Sequence, residues 1–287
     1  MVRAAPWLAW PVGLALALGH LLGGLLPGVA FVVVDAAYVL AVVVTLHRGR
    51  WTRDRAALAL LGAGVGIFAL ASLTGVPTAR QPTAMLLNAA VLFAAAVALA
   101  VGAVALAHRM PGLPARLGVT AVVVGSAGYL LNLLARWAVV LSGAAPWQAA
   151  VEDRAWVANV YLRGLDGVPD TMSLLLVWLD LMQVAYVVLT YVGFAGLAVA
   201  AGRAGAVSGS AARAVAAVGG VAAGLTVLCA VLAPVSVVAA EAAFVLTIPF
   251  MSTLVPALLA CALLTHTPTA APSLARDPAR TNIILGK

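Results

Sequence analysis

The chain has 287 residues, of which 64% are apolar and only 9% are charged, and its formal net charge is +7. Soluble proteins carry about 25% charged residues, so this composition excludes an ordinary soluble domain. Several apolar runs exceed about 18 residues and are long enough to cross ~30 Å of hydrocarbon. The basic residues stand at the ends of these runs, as in loops at a membrane surface, which argues against nucleic-acid binding.

Proline, glycine and charged residues divide the chain into eight predicted membrane helices. Their approximate bounds are 7–26, 30–46, 56–74, 85–107, 117–141, 172–201, 214–232 and 235–264. Pro249 and Pro256 lie within the last run and predict a kink or break there, because proline removes a backbone hydrogen bond. The predicted fold is therefore all-α, a single polytopic integral membrane bundle of about eight transmembrane helices over residues 1–264.

Two segments of the chain lie outside these spans. In residues 146–165, apolar side chains recur at three- and four-residue spacing opposite a polar face, which predicts an amphipathic helix on the outer interface. This helix is either a brace at the interface or a lid over an outward-facing pocket. Residues 265–287 are rich in Pro, Thr and Ala and predict a flexible cytoplasmic tail.

The distribution of basic residues predicts the orientation of the bundle. If the N-terminus is cytoplasmic, twelve of the sixteen Lys and Arg residues fall on the inner side, three fall on the outer side, and Arg136 lies within a span. Such a bias marks cytoplasmic loops, so both termini are predicted to be cytoplasmic. The predicted location is the cell membrane, specifically a plasma membrane of the bacterial type.

Glycine spacing predicts where the helices pack against one another. Three pairs of glycines stand four residues apart: Gly24 with Gly28, Gly62 with Gly66, and Gly220 with Gly224. Small residues at this spacing let helix backbones approach closely. We expect these faces to pack within the chain, and the alternative is homo- or hetero-oligomer contact.

The sequence argues against several cofactors. The one lysine, Lys287, is the last residue, so a retinal Schiff base within a helix is excluded. A transmembrane haem needs facing histidines, and only His20 lies within a predicted span. Cys229 and Cys261 lack metal-binding spacing. We therefore predict no cofactor and no bound metal.

The strongly polar residues of the predicted spans all fall in the outer halves of those spans. They are His20, Asp35, Asn88, Asn132, Arg136, Asp180, Gln183 and Glu241. The inner halves contain mainly Ala, Val, Leu and Gly. This one-sided distribution predicts a pocket that opens outward, and it argues against a continuous ion-conducting pore.

Charge balance within this polar set is the main clue to function. Arg136 needs a partner, because a charge at the bilayer centre costs at least ~2.5 kcal/mol. If Asp35, Asp180 and Glu241 were all ionised, however, the set would carry surplus negative charge. We expect that one acid is protonated, that His20 is charged, or that a cation binds. The simpler alternative is that Arg136 pairs with one acid as an interhelical contact while the others reach water.

These considerations define the candidate site residues. The candidate catalytic acids are Asp180, Glu241 and Asp35, of which Asp180 or Glu241 would be the protonated acid. The candidate substrate-binding residues are Arg136, Asn132, Gln183, Tyr186, Trp137, Trp178, His20 and Asn88. Arg136 and Asn132 would orient a partner carboxylate or bind an anionic group, and the two tryptophans would form an aromatic wall.

Three functions fit this pattern. The preferred hypothesis is acid–base chemistry on a lipid or isoprenoid-like apolar substrate. The alternatives are a small proton-coupled transporter that uses the same acids as proton carriers, and a non-catalytic subunit of a membrane complex. The expected partners are the lipid bilayer, an apolar or amphipathic small molecule, and protons.

Overall fold

The computed structural model of the chain describes residues 4–24, 26–49, 51, 54–75, 81–141, 161–163 and 170–266. The regular secondary structure of these residues is entirely helical, which confirms the all-α prediction. Most of the predicted outer helix at 146–165, and nearly all of the predicted tail at 265–287, lie outside the described residues.

The described residues form nine α-helices. They are α1 (Ala5–Gly23), α2 (Gly28–Arg48), α3 (Arg55–Thr74), α4 (Pro82–Ala107), α5 (Leu113–Leu141), α6 (Asp170–Arg203), α7 (Gly209–Leu232), α8 (Val237–Thr247) and α9 (Leu254–Thr265). Helices α2 to α7 are each long and apolar enough to cross a membrane, and the bent pair α8–α9 makes a seventh span. The 19 residues of α1 extend about 28 Å, close to the ~30 Å hydrocarbon layer. The chain is thus a polytopic bundle of about eight membrane helices.

Short polar side chains determine where several of these helices begin. The Asp54 carboxylate accepts hydrogen bonds from the backbone N–H groups of the first turn of α3. Ser208 and Ser236 cap α7 and α8 in the same way. Such caps satisfy N–H groups that have no partner inside the helix. Asp54 also forms an ion pair with Arg109 at 3.2 Å, which joins the start of α3 to the end of α4.

Two helices, α3 and α6, lie at the centre of the bundle. Helix α3 contacts α1, α2, α4 and α9, whereas α6 contacts α5, α7, α8 and α9. Helices α2 and α7 are peripheral, and they expose apolar side chains such as Val33 and Val221, each 63% exposed. Exposed apolar faces of this kind suit contact with lipid.

The most extensive helix contact joins α5 to α6 through glycine. A Cβ atom added to Gly118 would lie 2.6 Å from the carbonyl oxygen of Gly193, and one added to Gly193 would lie 2.7 Å from that of Gly118. Any larger residue would force the two backbones apart, so glycine permits this crossing.

The glycine pairs predicted from the sequence do not pack in this way, and that prediction was wrong. An added Cβ would meet no atom of the described residues within 4 Å at any of them: Gly24, Gly28, Gly62, Gly66, Gly220 and Gly224. Four-residue spacing places two glycines on one face of a helix, but it carries no information about which face meets a neighbour.

The last predicted span is broken into two helices. Helix α8 ends at Thr247, and the axis of the following helical segment is bent by 54° from it. Pro249 lies in the break, which confirms the predicted interruption, whereas Pro256 lies in the first turn of α9, where its missing N–H is not needed. The 11 residues of α8 extend about 16 Å, which is about half of the ~30 Å thickness of a hydrocarbon layer.

Candidate functional site

Arg136, near the end of α5, makes an ion pair with α6. We call this end of the bundle the outer side, following the predicted orientation. The Arg136 Nη2 atom is 3.3 Å from Oδ1 of Asp180, and Nε donates to Oδ1 of Asn132 at 2.9 Å. The buried Asn132 amide donates in turn to the backbone carbonyl of Leu179. The partner of Arg136 is therefore Asp180, and Asn132 orients the guanidinium from the preceding turn.

The second carboxylate oxygen of Asp180 binds the connection between α5 and α6. Its Oδ2 accepts a hydrogen bond from the backbone N–H of Leu162 at 3.1 Å. Leu162 is buried and has a φ of 63°, a left-handed conformation that is strained for a bulky residue. Both oxygens of Asp180 thus act as acceptors, and one of them holds a strained backbone in place.

Tyr161 continues this connection to α8. Its hydroxyl lies 2.8 Å from the hydroxyl of Thr247, the last residue of α8, and its ring packs edge-on against Phe244. Burial raises the pKa of the Tyr161 hydroxyl above its usual range, so this group remains a neutral hydrogen-bonding partner. We call Arg136, Asn132, Asp180, Tyr161 and Leu162 the outer network. It joins α5, α6 and α8.

Side chains of α6 bind the backbone of the break between α8 and α9. The Gln183 amide donates to the carbonyl oxygen of Thr247 at 2.7 Å, and the Tyr191 hydroxyl donates to that of Met251 at 2.9 Å. A break inside a membrane leaves carbonyl and N–H groups without partners in the helix, and each must be satisfied by the protein. Gln183 and Tyr191, which we call the α6 polar stripe, supply two of these partners.

Tyr186 lies between the outer network and the break. Its ring stacks on Tyr129 of α5, with ring centroids 4.2 Å apart, and its hydroxyl is 3.3 Å from Oγ of Ser252. Ser252 also donates to the carbonyl oxygen of Pro249 at 2.6 Å. The predicted site residues Gln183 and Tyr186 are thus brought next to the break.

No match was found for this chain among known protein families, curated proteins or solved structures. Its function must therefore be inferred from the contacts of its own side chains.

Several predicted site residues lie apart from the outer network. Glu241 is exposed on α8 and makes no ion pair with any described residue. Trp178 is 47% exposed, an orientation that suits the membrane interface more than a pocket wall. Asn88 is half-buried on α4 and makes no hydrogen bond within the described part of the chain. Trp137 packs partly against the core, and its buried Nε1 atom has no partner among the described residues.

Asp35 and His20 lie apart from the outer network. Helix α2, which carries Asp35, packs against α1 and α3 rather than against α5 and α6. Asp35 is only 2% exposed, and its carboxyl group lies beside the Ser72 hydroxyl and has no ion-pair partner among the described residues. The three acids predicted to share one site are therefore distributed among an ion-paired position, an exposed position and a buried position without a charged partner.

Several residues of these contacts are not among the candidates predicted from the sequence, and they include Tyr161, Leu162, Tyr129 and Ser252. The sequence places Tyr161 and Leu162 in an interfacial amphipathic helix, and no sequence signal indicates that a backbone N–H there binds Asp180. Tyr191 could have been found, because it follows Gln183 by eight residues and shares its side of α6.

Proposed function

We propose that the protein is a membrane carrier of a small amphipathic molecule. In this proposal, the outer network is a gate, and the break between α8 and α9 is the element that moves. The break carries the argument: two short apolar helices, which together are long enough for one span, meet there at an angle of 54°. Discontinuous membrane helices of this kind provide binding sites and hinges in secondary transporters.

The hydrogen bonds around the break indicate that the interruption of the helix is a stable feature of the fold rather than a local distortion. An unsatisfied backbone group in hydrocarbon costs several kcal/mol, so an interrupted helix needs specific partners. Gln183 and Tyr191 on α6 supply two donors, while Ser252 and Thr253 donate to carbonyl oxygens within the break itself. Polar side chains of α6 and of the break itself thus satisfy backbone carbonyl groups at the interruption.

The exposure of the ion pair supports a gate. The Arg136 side chain is 32% exposed and that of Asp180 is 15% exposed, so the pair lies between the outer surface and the buried part of the network. We expect the pairwise coupling energy of an ion pair in such an intermediate environment to be about 1–2 kcal/mol, above the 0–1 kcal/mol of an exposed pair. A contact of that strength opens and re-forms readily, as a gate requires.

Acid–base catalysis has weaker support than transport. Asp180 accepts hydrogen bonds through both oxygens, and Glu241 is exposed on α8. Neither acid is therefore arranged as a proton donor that faces a pocket. A non-catalytic subunit would not require an interrupted helix. Such a role also predicts none of the particular side-chain contacts that are observed at the break.

Solvent access to the inner half of α9 tests this proposal. The native Cys261 is buried there, and its thiol donates to the carbonyl oxygen of Pro6 in α1, at 3.2 Å. In a Cys229→Ala variant, a membrane-impermeant maleimide applied from the inner side should react with Cys261 whenever α1 and α9 separate. A carrier predicts this reaction, whereas an enzyme with an outward pocket predicts none.

The effect of the gate on this reaction distinguishes a carrier from local fluctuation. Asp180→Asn should favour the state that is open to the outer side and so reduce the population that is open to the inner side. Loss of an ion pair worth about 1.4 kcal/mol in the outward-closed state would slow Cys261 labelling from the inner side by about tenfold. Glu241→Gln is the matched control, since it neutralises an outer acid outside the network, and should leave the rate unchanged. An unreactive Cys261, or equal rates in wild type and Asp180→Asn, would contradict the proposal.

A further inference from the structure

A buried carboxyl group without a charged partner lies on α2, where this helix packs against α1 and α3. Asp35 is 2% exposed, and the hydroxyl of the fully buried Ser72 on α3 lies beside its carboxyl group. Nδ1 of His20 on α1 has no hydrogen-bond partner among the described residues. The neutral Ser72 hydroxyl does not compensate a buried negative charge, so Asp35 calls for a positively charged ligand.

The titratable neighbours of Asp35 lie on either side of it along α2. On the outer side, the His20 ring of α1 packs on Phe31 with centroids 4.2 Å apart, one turn before Asp35 on the same face. On the inner side, the Tyr38 hydroxyl is already bound, since it donates to the carbonyl oxygen of Ala9 at 2.5 Å. No basic side chain from α1 or α3 pairs with Asp35 among the described residues.

The groups around Asp35 identify the ligand. The described residues hold no group of three His, Cys, Asp or Glu side chains that could bind a metal ion. Hard cations require about six oxygen ligands, whereas Asp35 and Ser72 together offer three. A proton needs only one oxygen, and it removes the charge that burial makes unfavourable. We propose that Asp35 is a proton-binding site inside the membrane, separate from the outer network.

Tyr38, one turn after Asp35, links α2 to α1, and α1 in turn contacts the break. Tyr38 donates to the carbonyl oxygen of Ala9, and the next residue of α1, Trp10, donates through Nε1 to the Thr253 hydroxyl at 2.9 Å. Thr253 belongs to the break between α8 and α9. In this proposal, protonation of Asp35 shifts α2 against α1, and α1 transmits the shift to α9. This coupling rests on the carrier function proposed above, whereas proton binding at Asp35 does not.

Proton binding is tested on the wild-type protein with dicyclohexylcarbodiimide, an apolar reagent that modifies protonated carboxyl groups within membranes. After treatment of the protein in lipid vesicles, mass spectrometry should locate the adduct on Asp35, with less adduct as the pH is raised. Asp35→Asn should remove the adduct, and Glu241→Gln should not reduce it. An Asp35 that stays unmodified while the reagent labels other carboxyl groups would overturn the proton site and leave the carrier proposal intact.

Coupling is tested through the labelling of Cys261 in the Cys229→Ala background. The labelling rate is divided at each pH by the rate for the same thiol in the denatured protein, because maleimide reacts with the thiolate and every cysteine therefore reacts faster as the pH rises. This normalised rate from the inner side should change severalfold with pH when Asp35 is present and lose that change in Asp35→Asn. A normalised pH dependence that survives this substitution would overturn the coupling. A Cys261 that never reacts, together with an adduct on Asp35, would instead refute the carrier function and support the proton site.

Discussion

The ion pair between Arg136 and Asp180 provides the most direct test of the outer network. Asp180→Asn keeps the shape of the side chain but removes its charge, so that Arg136 loses its counter-ion. One of the two acceptor oxygens also becomes an amide group, which leaves either Arg136 or the Leu162 N–H without an acceptor. We expect this variant to be folded but clearly less stable than the wild type.

The size of the effect follows from the burial of the pair. Loss of one partner costs about 3–5 kcal/mol in a fully buried pair, whereas an exposed pair contributes 0–1 kcal/mol. With side-chain exposures of 32% and 15%, we expect Asp180→Asn to lower the free energy of unfolding by about 2–3 kcal/mol. The pairwise coupling energy between Arg136 and Asp180 should be about 1–2 kcal/mol.

A double-mutant cycle measures this coupling energy. The unfolding free energies of wild type, Arg136→Gln, Asp180→Asn and the double variant would be compared in detergent micelles. The ion pair between Arg109 and Asp54 is the matched control, because its 3.2 Å separation is similar but the Arg109 side chain is 52% exposed. That control pair should couple by less than about 1 kcal/mol. If the two pairs couple equally, or if the effects at Arg136 and Asp180 add independently, the proposed role of burial is wrong.

Three further predictions concern helix packing, the break and Asp35. Gly118→Ala should lower the unfolding free energy, measured by denaturation, by about 1–3 kcal/mol, because the new methyl group meets the α6 backbone. Gly128→Ala in the same helix is the control and should be neutral in this assay, because the added methyl group meets no described atom within 4 Å. Tyr191→Phe should cost about 1–2 kcal/mol by removing the donor to Met251, and a loss below about 0.5 kcal/mol by thermal unfolding would show that another group satisfies this carbonyl oxygen. Asp35→Asn should change the unfolding free energy by less than about 1 kcal/mol, because Asp35 has no ion-pair partner to lose and asparagine can still meet the Ser72 hydroxyl. A loss as large as that of Asp180→Asn would show that Asp35 has a charged partner in the folded protein.

The existence of the membrane helices was predictable because hydrophobic length is a local property. Runs of about 20 apolar residues must form helices in hydrocarbon, where every backbone group needs a partner within its own segment. The interruption at Pro249 was predictable for the same reason, since proline lacks the N–H group that the helix requires. Sequence also required that Arg136 meet an acid, because an unpaired charge inside a bilayer is costly.

The sequence left open which acid pairs with Arg136, and tertiary structure decided it. Asp35, Asp180 and Glu241 all lie in outer half-spans, so depth alone does not distinguish among them. Their rotation about the helix axes places Asp180 against α5, Asp35 between α1 and α3, and Glu241 on an exposed face. Rotation depends on the packing of every neighbouring helix, and nearly uniform apolar sequences carry a weak signal for it.

The outer network and the role of the α6 polar stripe were likewise decided by tertiary contacts. Gln183 and Tyr191 are distant in sequence from the backbone carbonyl groups that they bind, and Leu162 reaches Asp180 through its backbone, which any residue type provides. Sequence by itself therefore determined the membrane class, the approximate helices and the need for a counter-ion, since these follow from hydrophobicity and charge along the chain. The choice of partners followed only from folding, because hydrogen bonds across helices depend on distances that the order of residues does not contain.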